Sequence, residues 1–300
     1  MNTAALATTL VEHLAGLGPL AVAFSGGADS ALVLAAAVRG SGADDVLAVT
    51  ADSASLAATE LAAARRIATE LGVRHLTPAT AELDQPGYTA NGRDRCYFCK
   101  STVLATLAAV ARRHGFPALA TGTNADDAVD PFRPGIRAGD ELGVHTPLRA
   151  LHLTKRDVRA IARLWGLDWA EKPAAPCLAS RVRYGIPVTT ATLARVERAE
   201  HAVRSLLDAL GVACQDLRVR DLGGAARIEL DQPLADRLQD DTRLLDTVRS
   251  VGFTEVTVGA FRSGVLNHEE ATRSAALSPA APATAREPRG DRPRLPHPDR

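Results

Sequence analysis

The sequence predicts an α/β protein: a doubly wound parallel sheet followed by a smaller α/β region. Three observations carry this. Short apolar runs alternate with helix-length amphipathic stretches from residue 20 to residue 121, the pattern of parallel strands joined by crossover helices. The first of these runs ends in Ser25-Gly26-Gly27-Ala28-Asp29-Ser30 and leads into an Ala/Leu/Val-rich helix. After Thr189 the pattern changes to one long helix, a Gly-Gly hairpin, a second helix and a final short apolar strand.

In chain order, residues 3–17 read as an amphipathic helix and 20–24 as a buried strand. The glycine turn then opens a helix over 31–38. Gly26 and Gly27 let the backbone approach an anion without a Cβ in the way. The unpaired N–H groups and dipole of the helix start attract a phosphate. Ser25 and Ser30 can donate hydroxyl hydrogen bonds, and Asp29 can hold a metal or cap the helix. Residues 45–50 form a second strand ending at Asp52 and Ser53. A helix over 56–71, a strand over 73–76, a polar loop over 82–95 and a helix over 99–114 follow. A fourth strand, 118–121, runs into Gly122-Thr123-Asn124-Ala125-Asp126-Asp127. Ligands of such sheets sit beyond the carboxyl ends of the strands. That rule gathers Ser25 to Ser30, Asp52, Ser53 and Thr121 to Asp127 at one edge. Residues 130–153 read as a long functional loop and 154–164 as a helix. The stretch 171–187 is irregular. Beyond it come a helix to residue 210, strands over 216–220 and 226–230, a helix over 234–251 and a strand over 254–258. The expected domains are 1–187, 188–268 and a disordered tail over 269–300, where six of the seventeen prolines fall.

Three hundred residues with 35 basic and 35 acidic side chains give no excess charge for nucleic acid. Only three lysines occur, Lys100, Lys155 and Lys172. No apolar segment reaches membrane-spanning length, and Glu12 and His13 interrupt the first helix, so no signal peptide is read there. The expectation is a cytoplasmic chain with no membrane or nucleic-acid partner, whose four cysteines are reduced, metal-bound or catalytic.

The pair in Arg95-Cys96-Tyr97-Phe98-Cys99-Lys100 alone suits a redox site, half a zinc site or part of a cluster site. Cys177, in Pro176-Cys177-Leu178-Ala179-Ser180-Arg181, lies in a loop that should reach the same sheet edge. Three cysteines suit a [4Fe–4S] cluster with one open iron, or a zinc with a fourth ligand from elsewhere. Cys214 reads as a small buried hydrophobe.

The string SGGADS closely resembles the signature of the PP-loop ATP pyrophosphatases. It is neither a Walker A loop nor a dinucleotide fingerprint. With RCYFCK, TGTNADD, DPFRPG, PCLASRVRYG and GAFRSG in this order, the chain resembles the LarE branch of that family over roughly residues 5–266. That branch makes the thiocarboxylate of the nickel-pincer cofactor of lactate racemase, pyridinium-3,5-bisthiocarboxylic acid mononucleotide. The resemblance implies that ATP, with Mg2+, adenylylates a pyridinium carboxylate and that sulfur then displaces AMP. In one branch the sulfur comes from a cysteine at the position of Cys177, which becomes dehydroalanine. In another, three cysteines hold a [4Fe–4S] cluster whose open iron carries sulfide from a donor. The pair Cys96 and Cys99 favours the cluster type.

The resemblance also places Asn124, Asp126 and Asp127 in a loop facing the nucleotide. Asp126 and Asp127 are equally read as a helix N-cap and its neighbour. Arg133 and Arg137 could hold phosphates, and Ser180 and Arg181 the substrate phosphate. Glu200, Arg218, Arg220 and Glu229 match charged positions at an inter-subunit substrate or metal site, which implies a homo-oligomer; a solvated sheet face explains them equally. The other readings of the chain are a PP-loop tRNA thiolase or amidating synthetase, and a non-catalytic nucleotide-binding or iron–sulfur carrier protein.

Overall fold

Alternate residues of short central strands decide which helices cover which face of the main sheet. The structure is a computed structural model that describes residues 2–129, 134–173 and 175–266. Helix α1 (Thr3–Ala15) leads to β1 (Leu20–Ala23), α2 (Ala28–Ser41), β2 (Val46–Val49), α3 (Ala58–Glu70) and β3 (Arg74–Leu76). Then come α4 (Pro86–Thr89), α5 (Arg95–Arg113), β4 (Ala118–Thr121), α6 (Ala125–Val129), α7 (Pro134–Glu141), α8 (Pro147–Ala150) and α9 (Lys155–Leu164).

The four strands are parallel in the order β3-β2-β1-β4. Leu20 and Val22 of β1 turn to one face, among α1, α2, α3 and α9 residues such as Leu10, Leu32, Ile67 and Ile161. Ala21 turns to the other face, with Leu47, Leu104, Leu107 and Leu119. The period of two along a strand thus gives each face its own core. The chain runs from β1 outward to β2 and β3, then returns to place β4 on the other flank of β1. The order reverses between β1 and β4, the position where doubly wound sheets bind ligands.

The second part starts with α10 (Thr190–Ala209), closed at its N-terminus by a reciprocal Thr189–Thr192 cap. Strands β5 (Arg218–Asp221) and β6 (Ala225–Leu230) form the expected antiparallel hairpin. Helices α11 (Gln232–Leu238) and α12 (Thr242–Arg249) precede β7 (Glu255–Ala260), which pairs parallel to β6. Val203, Leu217, Ile228, Leu244 and Phe253 fill a separate core. Met1–Ser263 form one compact unit. The tail expected over 269–300 lies outside the described residues.

Three sequence expectations change. The helix read over 234–251 is two helices, because the Asp241 carboxylate accepts from the backbone N–H groups of Arg243 (3.0 Å) and Leu244 (3.4 Å) and starts a new helix. The stretch read as a loop over 130–153 contains α7 and α8; residues 130–133 lie outside the described residues. The helix read from residue 99 starts at Arg95, so Cys96 and Cys99 share its first turn.

The polar stretch before α5, read as a loop, carries α4 and is pinned by buried polar contacts. Asn91 is fully buried with φ +54°. Its amide donates to the carbonyls of Arg183 (2.8 Å) and Ile186 (2.7 Å), and its Oδ1 accepts from Arg95 (2.5 Å). Asn91→Ala leaves these partners unsatisfied and puts a non-Asn residue in the left-handed region, an expected loss of roughly 3 kcal/mol or more. Chemical denaturation measures it; an unchanged midpoint would contradict this role.

Candidate functional site

Beyond β1, the glycine turn is shaped by its own serines. The Ser30 hydroxyl donates to the Gly27 carbonyl (3.1 Å) and lies 3.2 Å from the Ser25 hydroxyl. Gly26 takes φ +71°, which asks for glycine, while Gly27 is extended at φ −80° and ψ 157°. The second loop closes on this turn from β4. A Cβ on Gly122 would lie 2.5 Å from the Ser30 nitrogen and 2.8 Å from the Asp29 carbonyl carbon. Glycine at 122 therefore lets the two loops meet at the reversal point of the sheet.

Two lysines bracket the turn, and the sequence reading assigned a role to neither. Lys155, the first residue of α9, donates from Nζ to both Asp29 carboxylate oxygens at 2.7 Å. Lys172 donates to the Gly26 carbonyl (3.0 Å) and to Glu60 (2.7 Å). Their scarcity was the signal; their partners lie 112 to 146 residues away in sequence.

A cavity of about 470 Å³ opens beside the turn. Its walls include Ser25, Gly27, Asp29, Ser30, Gly122, Thr123 and Asp127 from the two loops, and Cys96, Cys99, Lys100, Arg95, Tyr88 and Cys177 from other stretches of chain. The glycine turn and three cysteines from two distant stretches of chain thus share one space. Arg95 fixes the cysteine wall. It is buried, and its guanidinium donates to the Ala179 carbonyl (2.9 Å) beyond Cys177. The Cys177 carbonyl accepts from the Ser180 hydroxyl (2.7 Å) and from Arg181 (3.1 Å), which leaves the thiol on an anchored backbone and exposed. Burial first, and then the Cys177 charge, push the Cys99 thiol well above its ordinary range. Burial does the same to Tyr88, whose hydroxyl is buried at this wall.

The donor sets fit the implied groups in kind. Three thiols facing one cavity suit an iron–sulfur cluster, although no three His, Cys, Asp or Glu side chains among the described residues are grouped to hold a metal ion as they stand. For magnesium, the Asp29 carboxylate on the cavity wall is a hard oxygen donor already paired with a cation. Mg2+ is usually held by one or two carboxylates together with substrate phosphates rather than by a protein cage.

Next to the cysteine loop lies a buried charge cluster. Arg181 donates from Nε to Glu200 (2.9 Å) in a two-point pair, and Glu200 also accepts from the Val219 N–H (3.1 Å). Arg220 donates to Glu229 (2.9 Å) and to the Ser180 carbonyl (3.1 Å). Glu229 also pairs with Arg227 at 3.2 Å. Arg218 is buried as well, with its guanidinium over the Phe261 ring, and burial lowers its pKa. This hairpin face is enclosed, and a solvated face no longer accounts for it.

The remaining candidates have partners of their own. The Asn124 side chain accepts from the Asp126 and Asp127 N–H groups and caps α6. Asp127 closes that cap by accepting from the Asn124 N–H at 3.1 Å, and Asp126 accepts from the Lys155 N–H at 2.8 Å. Asp52 is exposed, and its backbone pairs with the 78–80 segment. The Ser53 hydroxyl donates to the buried Glu82. Neither Asp52 nor Ser53 is part of the cavity wall. Arg137 is exposed on α7 and stacks on Tyr97 at 4.2 Å. Arg133 lies outside the described residues. Cys214 packs against the second core.

Comparison with known proteins adds to this geometry. Residues 3–175 match the asparagine synthase family model. A protein of Lactiplantibacillus plantarum named pyridinium-3,5-bisthiocarboxylic acid mononucleotide synthase is 36% identical over 262 residues, covering 86% of this chain and 92% of that protein. An uncharacterized protein of Synechocystis sp., slr1717, is 41% identical over 251 residues, covering 82% of this chain and 91% of that protein. Among the described residues no helix is long and apolar enough to cross a membrane.

Proposed function

The chain belongs to the PP-loop family of asparagine synthase-type domains and, within it, to the LarE group, and on that premise we propose that it is an ATP-dependent sulfur transferase acting on a pyridinium carboxylate mononucleotide. The observation that carries the proposal is the single cavity that joins the glycine turn to three cysteines. A carboxylate is a poor acyl donor until one oxygen becomes a phosphate leaving group. The turn and the Gly122 loop hold the β and γ phosphates of ATP and leave the α phosphate open to the substrate carboxylate. Bond cleavage there releases pyrophosphate and leaves an acyl adenylate. Magnesium supplies charge neutralisation at the phosphates, with Asp29 as its protein ligand.

In this proposal Cys96, Cys99 and Cys177 would hold a [4Fe–4S] cluster, which would supply a binding place for the sulfur that displaces AMP. Ser180, Arg181, Glu200, Arg218, Arg220 and Glu229 hold the phosphate and charged groups of the pyridinium nucleotide, completed by a second copy of the chain. Arg133 and Arg137 contact phosphate, and Asp52, Ser53, Thr123, Asn124 and Asp126 face the nucleotide. The chain works in the cytoplasm, in the maturation of a nickel-pincer cofactor for lactate racemase, and divides functionally near residue 187.

The test supplies MgATP and a pyridinium-3,5-dicarboxylate mononucleotide to the purified protein. Pyrophosphate and the adenylylated substrate are the expected products, with AMP released once sulfide is supplied to displace it. Formation of ADP and orthophosphate instead would reject the reading.

A further inference from the structure

Both ends of Lys155 are tied to loops of the site. Its backbone N–H donates to Asp126 at 2.8 Å, and the Thr154–Asp157 capping box fixes the start of α9 beneath it. Its ammonium spends two donors on the two oxygens of Asp29, both at 2.7 Å. Among the described residues Asp29 is its one side-chain partner. The pair is about a third exposed on the lysine and a quarter on the aspartate, so water and ligands reach it.

Lys172 differs in kind. Its partners are a backbone carbonyl of the turn and a carboxylate outside the cavity wall, so it fixes the loop. The Lys155 partner is a cavity-wall carboxylate, the group that a divalent cation arriving with a triphosphate would claim. An ammonium bridging both oxygens and a magnesium ion bound to either of them repel each other, so the two compete for the same carboxylate. A lysine stem is flexible, and its head is a compact charge that pairs readily with phosphate. Without the lysine, the Asp29 charge would face an incoming polyphosphate and repel it.

We propose that Lys155 is an exchanging residue: magnesium takes Asp29 from it, and the released ammonium moves to the phosphates of the nucleotide. The proposal rests on the reading of the site as one for magnesium ATP. It makes metal and nucleotide binding cooperative, because each step removes the partner that holds the other back.

The test is calorimetric binding of α,β-methylene-ATP, which is not cleaved at the α–β bond, to wild type, Asp29→Asn, Lys155→Met and the double variant. Each is measured with Mg2+ and with EDTA, and circular dichroism checks the fold. Wild type should bind the analogue more tightly with Mg2+. Asp29→Asn frees the lysine permanently, so its metal-free affinity should rise roughly tenfold over wild type and Mg2+ should add little. The rise should vanish in the double variant. If the double variant keeps it, loss of a negative charge explains the gain and the exchange is wrong. With Mg2+ present, Lys155→Met should bind the analogue more weakly than wild type, because no released ammonium reaches the phosphates; equal affinity in Mg2+ would also overturn it. Failure of wild type to bind the analogue under either condition would reject the nucleotide site itself, and the exchange with it.

Discussion

Gly122→Ala is expected to cut ATP-dependent pyrophosphate release by about a hundredfold or more in a protein that still folds. The added carbon would sit 2.5 Å from the Ser30 nitrogen, 2.8 Å from the Asp29 carbonyl carbon and 2.9 Å from the Ser30 Cα. All three are backbone atoms of α2, so no side chain can swing aside. The β4 strand cannot retreat easily, because Thr121 is in register with Ala23 of β1. The two loops must therefore separate by a fraction of an ångström to an ångström, and misplacement on that scale costs about 100-fold in an aligned reaction. Gly27→Ala is the matched control for folding. Its Cβ would meet only the Ser25 hydroxyl, at 3.4 Å, from an extended backbone. Both variants should melt cooperatively. Unchanged pyrophosphate release in Gly122→Ala would mean that the two loops do not form one phosphate site.

The main sheet was legible because its signals are local. A run of apolar residues, a glycine turn and a helix start stand next to one another in sequence, and the rule for doubly wound sheets then places β1 and β4 side by side. The sequence reading expected the Cys177 loop to reach the same sheet edge as the cysteine pair, but the bond that anchors it was not legible: Arg95 to Ala179 spans 84 residues. The Lys155–Asp29 pair spans 126 residues, and no periodicity announces such a contact. Alternation of Arg218, Arg220 and Glu229 reads the same for a solvated face and for a buried ionic one, since the partners that bury it, Arg181 and Glu200, come from other elements. Asp241 divided a helix that its apolar spacing had joined, because a cap competes with hydrophobic periodicity and wins by satisfying two N–H groups at once. Asn91 needs a positive φ, which a tolerant residue type does not reveal.

Cys96→Ala and Cys99→Ala are each expected to abolish sulfur transfer while sparing adenylylation. Their place at the start of α5 keeps them apart from the glycine turn within the cavity lining, so the turn keeps its shape when either is replaced. Anaerobically purified wild type should be brown and carry about four irons per chain, and each variant should lose the colour. Cys177→Ala should also lose sulfur transfer, but on its own it does not separate two mechanisms, because both need that sulfur. The discriminating measurement is the mass of the wild-type chain after turnover. If Cys177 donates its own sulfur, the chain loses about 34 Da as hydrogen sulfide and stops after one turnover. If the three thiolates hold a cluster, the mass is unchanged and turnover continues with added sulfide. The exposed Cys177 thiol on an anchored backbone suits either chemistry, whereas Cys99 is half-buried and its surroundings raise its thiol pKa, which suits it less to act as a free nucleophile. A Cys99→Ala protein that still delivers one sulfur per chain, with dehydroalanine left at position 177, would reject the cluster and establish Cys177 as the sulfur source.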